Sequence, residues 1–147
     1  KYNCEEPLKN DVHIRTTNTG EVETIRFVRS CVYLGAVIHE SLSDDVEISG
    51  RMLKATQMFG MLRKEMLSSK DTWPEVKKRI VEGMIIPTML DGAEHWIVSA
   101  EKKRALNSCY NRMIRSCLRI NMYTTRKFHI TNQMAHEKIG VGNLDYL

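Results

Sequence analysis

Residues 30–38 constrain the fold more than any other stretch. Cys31-Val32-Tyr33-Leu34-Gly35-Ala36-Val37-Ile38 is the one run dense enough in β-branched and aromatic residues to form a buried strand. Everything after it reads as helix. Gly35 inside this pattern marks a bulge or a close approach to the backbone, or else relieves crowding beneath a packed helix.

Upstream, Val12-His13-Ile14-Arg15-Thr16 and Val22-Glu23-Thr24-Ile25 alternate on either side of Asn18-Thr19-Gly20, whose glycine suits a tight turn. This predicts a hairpin that pairs with the strand around Tyr33 into a sheet of three strands, about the minimum for a small sheet, leaning on helices for burial. Residues 1–11 are charged, contain Pro7 and read as an extended lead-in. With 147 residues one sizeable core is expected: residues 1–40 as the β part and residues 41–147 as a compact helical bundle. The expected class is mainly α with a small N-terminal antiparallel sheet, α+β.

Ser43 is placed to cap a long helix, with Asp44 and Asp45 at its positive end. Ile48, Met52, Ala55, Phe59, Leu62 and Met66 step by four and three, which predicts one inward stripe. Arg51, Lys54 and Lys64 flank it, either as a solvated edge or as phosphate contacts, and Met58 and Met61 on the same flank suit a covered surface. Thr72 and Glu75 resemble a capping box for a second helix with Val76, Ile80 and Met84 inward. Pro87 should kink or restart that helix, Asp91-Gly92 should end it, and residues 84–90 are apolar enough to run through the core.

Ser99 and Glu101 begin a third helix reaching about Ile120, with Leu106, Tyr110, Met113, Cys117 and Ile120 inward. Opposite that stripe, Ser108, Arg112, Arg115 and Arg119 fall within about 60 degrees of one another. Stacked arginines suit phosphates, and equally a solvated face or pairing with acids elsewhere. Thr131 caps a short helix to Lys138, stopped by Gly140, with Leu144 and Leu147 packing back.

Charge alone does not choose among partners, since 22 Lys and Arg against 18 Asp and Glu leave a formal +4. Cys4, Cys31, Cys109 and Cys117 contain no C-x-x-C pair, and Cys109 would lie about 12 Å from Cys117 along a helix, so free thiols in a reducing, intracellular compartment are expected. No run approaches the roughly eighteen apolar residues of a membrane span. Lys1 in place of Met, with no apolar signal core after it, predicts a processed product, a trimmed chain or a fragment. His13, His39, His95, His129 and His136 share no helix face at ligand spacing, so no metal is expected, and no phosphate-cradling glycine loop or nucleophile elbow occurs. No catalytic residue and no cofactor are expected.

Residues 27–38, the long helix and the segment Pro87-Thr88-Met89-Leu90-Asp91-Gly92-Ala93-Glu94-His95-Trp96 together resemble the C-terminal part of reverse transcriptases from LINE-type, non-LTR retrotransposons. In that family a tyrosine-leucine-glycine strand forms the primer grip, and a helical thumb follows, containing an apolar stretch that ends in a tyrosine-glycine-serine-glutamate-threonine-tryptophan signature. Tyr33, Leu34 and Gly35 match the first, and Gly92, Glu94 and Trp96 the second, while Asp91, Ala93 and His95 depart from it. Leu118-Arg119 and Thr131-Asn132 are similar to further family steps. The resemblance runs from about residue 12 to residue 147 and implies a thumb-like bundle.

The tyrosine-x-aspartate-aspartate motif that holds the catalytic metals is absent from the chain, so polymerisation by the chain alone is not expected. Two functions remain. One is a non-catalytic thumb that binds the backbone of RNA or an RNA/DNA duplex through Tyr33, Leu34, Gly35, Arg51, Lys54, Arg112, Arg115 and Arg119, in nucleus or cytoplasm. The other is a repurposed structural subunit among other proteins of a ribonucleoprotein or mitochondrial complex, which the nine methionines would suit as adaptable packing.

Overall fold

The computed structural model describes residues 12–15, 22–25, 27–33 and 35–144. The chain divides into two compact units, Lys1–Glu47 and Ile48–Leu147. As expected, it is mainly α with a small antiparallel β component.

In the first unit, β1 (Val12–Arg15) pairs with β2 (Val22–Ile25), Val12 opposite Ile25 and Arg15 opposite Val22. The expected hairpin is present, and its Asn18-Thr19-Gly20 connection lies outside the described residues. The single buried strand expected over residues 30–38 is replaced by a second hairpin. Here β3 (Ser30–Tyr33) runs against β4 (Ala36–His39), with Tyr33 opposite Ala36. Each pair is its own two-stranded sheet, so the three-stranded sheet does not form among the described residues.

Gly35 is the physical reason. Its φ of +89° reverses the chain in a conformation that L residues avoid, and a Cβ there would meet nothing within 4 Å. The glycine supplies a turn and not a close approach. Val32, Tyr33 and Ile38 are accordingly exposed. The anchor of this hairpin is polar: Val37 N–H donates to Glu47 Oε2 at 2.7 Å, and Glu47 is buried in the first turn of α1 (Asp45–Leu62).

Ser43 Oγ accepts from Asp45 N–H at 3.3 Å at the start of α1, as its position predicts. Ile48, Ala55 and Phe59 are buried and Met52 and Leu62 pack partly against them, but Met66 is exposed and Leu67 takes the inward place. The cause is a π-helical turn at Arg63–Leu67, closed by Ser68 N–H donating to Arg63 O at 2.8 Å. A turn with an added residue delays the next inward position by one.

The second helix starts at α2 (Pro74–Ile80) with Trp73, not Thr72, as its N-cap, and no side chain caps it. Proline forces the residue before it into an extended conformation and is itself suited to the first helical position, so the expected capping box is displaced. A π turn at Val81–Ile85 then leads into α3 (Ile86–Leu90). This is the form the restart at Pro87 takes. Pro87 has no amide hydrogen for the Gly83 carbonyl, and Ile86 N–H bonds back to Val81 O instead. The inward residues are Lys77, Val81, Ile85 and Met89, while Val76 and Met84 are exposed and Ile80 is half-buried. Asp91, extended, and Gly92, at φ +83°, end α3 as predicted.

The centre of the second unit is α4 (Ala100–Cys117), whose N-cap Ser99 accepts from Lys102 N–H at 3.2 Å. Leu106, Cys109, Tyr110, Met113, Ile114 and Cys117 are all buried. A short α5 (Met122–Phe128), not foreseen, follows on the N-cap Asn121. Then α6 (Asn132–Ile139) starts on Thr131 and stops at Gly140, φ +82°, as expected. Tyr110 ties α6 to α4: its ring meets His136 edge-on at 5.3 Å, and its hydroxyl donates to Gly142 O at 3.1 Å. Leu144 packs into this core, and Leu147 lies outside the described residues.

Candidate functional site

The second unit contains an open cleft of about 1710 Å³. Its floor and sides come from α4, from the π turn after α1 and its connection to α2, and from residues leading into α5 and α6. The polar surface of α4 faces this cleft because its apolar stripe is spent on the core. Ser108, Arg112 and Arg115 all line it, joined by Arg104 one turn earlier.

Arg119 also lines the cleft, though not as part of the helix. The helix ends at Cys117, three residues short of the expected end, and Arg119 takes φ +57°. Arg119 N–H donates to Ser116 O at 3.0 Å and Ile120 N–H to Arg115 O at 2.9 Å, the paired bonds that close a helix where glycine is usual. A left-handed arginine costs about 1–2 kcal/mol, and here the conformation leads the side chain into the cleft.

Across the cleft stand Arg63 and Lys64 from the π turn and Lys70 from the connection after it. Ser68 Oγ fixes this connection to α4 by donating to Ser116 O at 3.0 Å. Buried Lys77 does the same from beneath, its ammonium donating to Ser69 O at 2.7 Å and Cys117 O at 3.2 Å. The two walls are thus tied to each other by specific hydrogen bonds.

Electrostatics set the chemistry. Among the described residues, the seven basic side chains face one carboxylate, Asp71, for a local formal charge of +6 in a chain whose total is +4. The rest of the chain is therefore slightly acidic, and the positive charge is gathered in one place. Arg115 Nε is buried with no hydrogen-bond partner among the described residues. Asn107, Asn111, Asn121 and Asn132 add neutral hydrogen-bonding groups to the walls. Guanidinium forks with interleaved amides suit the oxygens of a polyanion.

Of the residues expected to bind nucleic acid, Arg112, Arg115 and Arg119 come together here. Arg51 does not; it is buried and ion-paired with Asp91, which accounts for its place on the flank of α1. Lys54 is exposed on α1 but does not line the cleft. Tyr33 is 63% exposed in the first unit, Gly35 forms its turn, and Leu34 lies outside the described residues. Arg63, Lys70 and Arg104 join the site without having been expected. A signal for most of this surface was present in the chain: residues 102–136 contain eight Lys and Arg and no Asp or Glu.

Among the described residues no three His, Cys, Asp or Glu side chains are grouped to hold a metal ion, and Cys31, Cys109 and Cys117 are free thiols. No helix among them is long and apolar enough to cross a membrane.

No family model matches the sequence, and no solved structure matches it. The chain is 29% identical over 97 residues, 64% of its length, to the 115 kDa protein in type-1 retrotransposable element R1DM of Drosophila melanogaster, and it spans about a tenth of that protein, 10%. The relationship this chain displays is therefore to a retrotransposon protein.

Proposed function

We propose that the chain is the thumb-like part of a non-LTR retrotransposon reverse transcriptase and that it holds the phosphate backbone of RNA or an RNA/DNA duplex in the basic cleft. The observation that carries this reading is the gathering of seven cations against one carboxylate in a single cleft. The similarity to a retrotransposon protein supports the polynucleotide as the polyanion. Contacts of this kind follow shape and charge and not base sequence. Without the aspartate pair of a polymerase the chain positions a substrate for chemistry performed elsewhere, and by itself it should incorporate no nucleotide on a template.

The test is the salt dependence of RNA and RNA/DNA binding, read by fluorescence anisotropy, for the chain and for Arg112→Ala/Arg115→Ala/Arg119→Ala. Each lost phosphate contact should lower the slope of log affinity against log salt by about 0.7 to 0.9, so the triple variant should lose about two to three units, nearly independent of sequence. A thermal melt shows whether the variant is folded. Unchanged affinity and slope in a folded variant refute the reading and put the structural subunit ahead.

A further inference from the structure

Helix α5 buries none of its residues, yet it carries Met122, Tyr123 and Phe128, the two rings 70% and 62% exposed. Its ends are well made. Asn121 Oδ1 accepts from Thr124 N–H at 2.7 Å, and at the other end left-handed His129, φ +49°, is followed by Ile130 N–H donating to Thr125 O at 3.1 Å. A seven-residue helix capped at both ends but burying nothing is not explained by the core it adds to.

Its faces differ. Met122 and Thr125 line the basic cleft, so α5 is one of its walls. Tyr123, Lys127 and Phe128 do not line it, and Lys127 Nζ lies 5.8 Å from the Tyr123 ring centroid and 5.5 Å from that of Phe128. Exposed aromatic faces beside an ammonium suit unpaired nucleobases and the phosphates between them, because every base has a face to stack. The setting favours a polyanion over a protein: Arg126 adds a second charge on α5, and the whole acid-free stretch of residues 102–136 surrounds these rings in sequence.

We infer that the outer surface of α5 is a stacking platform for a single-stranded extension of the nucleic acid held in the cleft, with Tyr123 and Phe128 against bases and Lys127 on the linking phosphate. A strand leaving the cleft has one helix, about 10 Å across, to cross before meeting these rings. The inference rests on the reading that the cleft holds nucleic acid.

The test compares a blunt RNA/DNA duplex with the same duplex bearing a short single-stranded RNA extension, in the chain and in Tyr123→Leu/Phe128→Leu. Leucine keeps apolar area on an exposed helix and removes the rings. The chain should prefer the extended duplex, and the variant should lose that preference by about tenfold per ring while binding the blunt duplex unchanged. Tyr123→Phe should retain the preference. If the chain binds both duplexes equally, or if the leucine variant keeps the preference, the platform is overturned while salt-dependent duplex binding leaves the cleft reading standing. If neither duplex binds, both fall.

Discussion

Leu67 and Met66 are adjacent, apolar and similar in size, yet the π turn gives them opposite fates. Leu67 is 0% exposed and Met66 38%. Replacing Leu67 with Ala removes a fully buried side chain whose transfer is worth about 1.5–3 kcal/mol and adds a cavity term, for an expected loss of about 2–5 kcal/mol. Met66→Ala gives up only part of a flexible side chain's burial, and Ala is the better helix former, so about 1 kcal/mol or less is expected. Urea denaturation followed by far-ultraviolet circular dichroism reads the helices of the second unit and yields both values by linear extrapolation. If Met66→Ala costs as much as Leu67→Ala, or more, the helix continues in α geometry past Leu62 and the π turn is wrong.

Lys77→Met keeps the apolar stem but removes the ammonium bonds to Ser69 O and Cys117 O, so a loss of about 2–4 kcal/mol is expected; a melt showing under about 1 kcal/mol would mean the lysine is dispensable. Burial pushes the Cys117 thiol up from 9.0 to about 11, against the Lys77 charge and a backbone hydrogen bond that lower it. The folded chain thus holds the protonated thiol longer than the unfolded chain does, so this contribution to stability is intact below pH 9.0 and is lost as pH rises toward about 11. Cys117→Ala should lack that alkaline decline, and identical pH profiles for the two proteins would refute the assignment. Gly35→Val should destabilise the β3–β4 hairpin by at least about 1 kcal/mol and Gly35→Asn by less, because Asn tolerates positive φ; equal melts would show that the turn is not left-handed.

Much of the bundle was legible because it rests on local rules. The stripe of α4, the caps Ser99 and Thr131, and the stops at Gly92 and Gly140 each follow from residue spacing or from one side chain's reach to a nearby amide. The arginine row of α4 was legible for the same reason, since helical geometry alone places Arg112 and Arg115 on one side.

Residue spacing assumes a helix of one pitch, and tertiary structure broke that assumption twice. The π turns at Arg63–Leu67 and Val81–Ile85 shift the inward phase, which moves burial from Met66 to Leu67. Along α2 two stripes of step four lie one residue apart, and hydropathy favours the one that leaves Lys77 outside. The fold takes the other because the lysine ammonium reaches two carbonyls, Ser69 O eight residues back and Cys117 O at the end of α4, forty residues on. Arg51 went the same way: an open flank by local pattern, it is buried against Asp91 forty residues on. By itself the sequence determined the long helices, the caps Ser99 and Thr131, the stops at Gly92 and Gly140, and the shared face of Arg112 and Arg115. Which cations share a cleft, and which are consumed as internal ties, was decided only when segments far apart in sequence met, because a charge finds its partner through space and not along the chain.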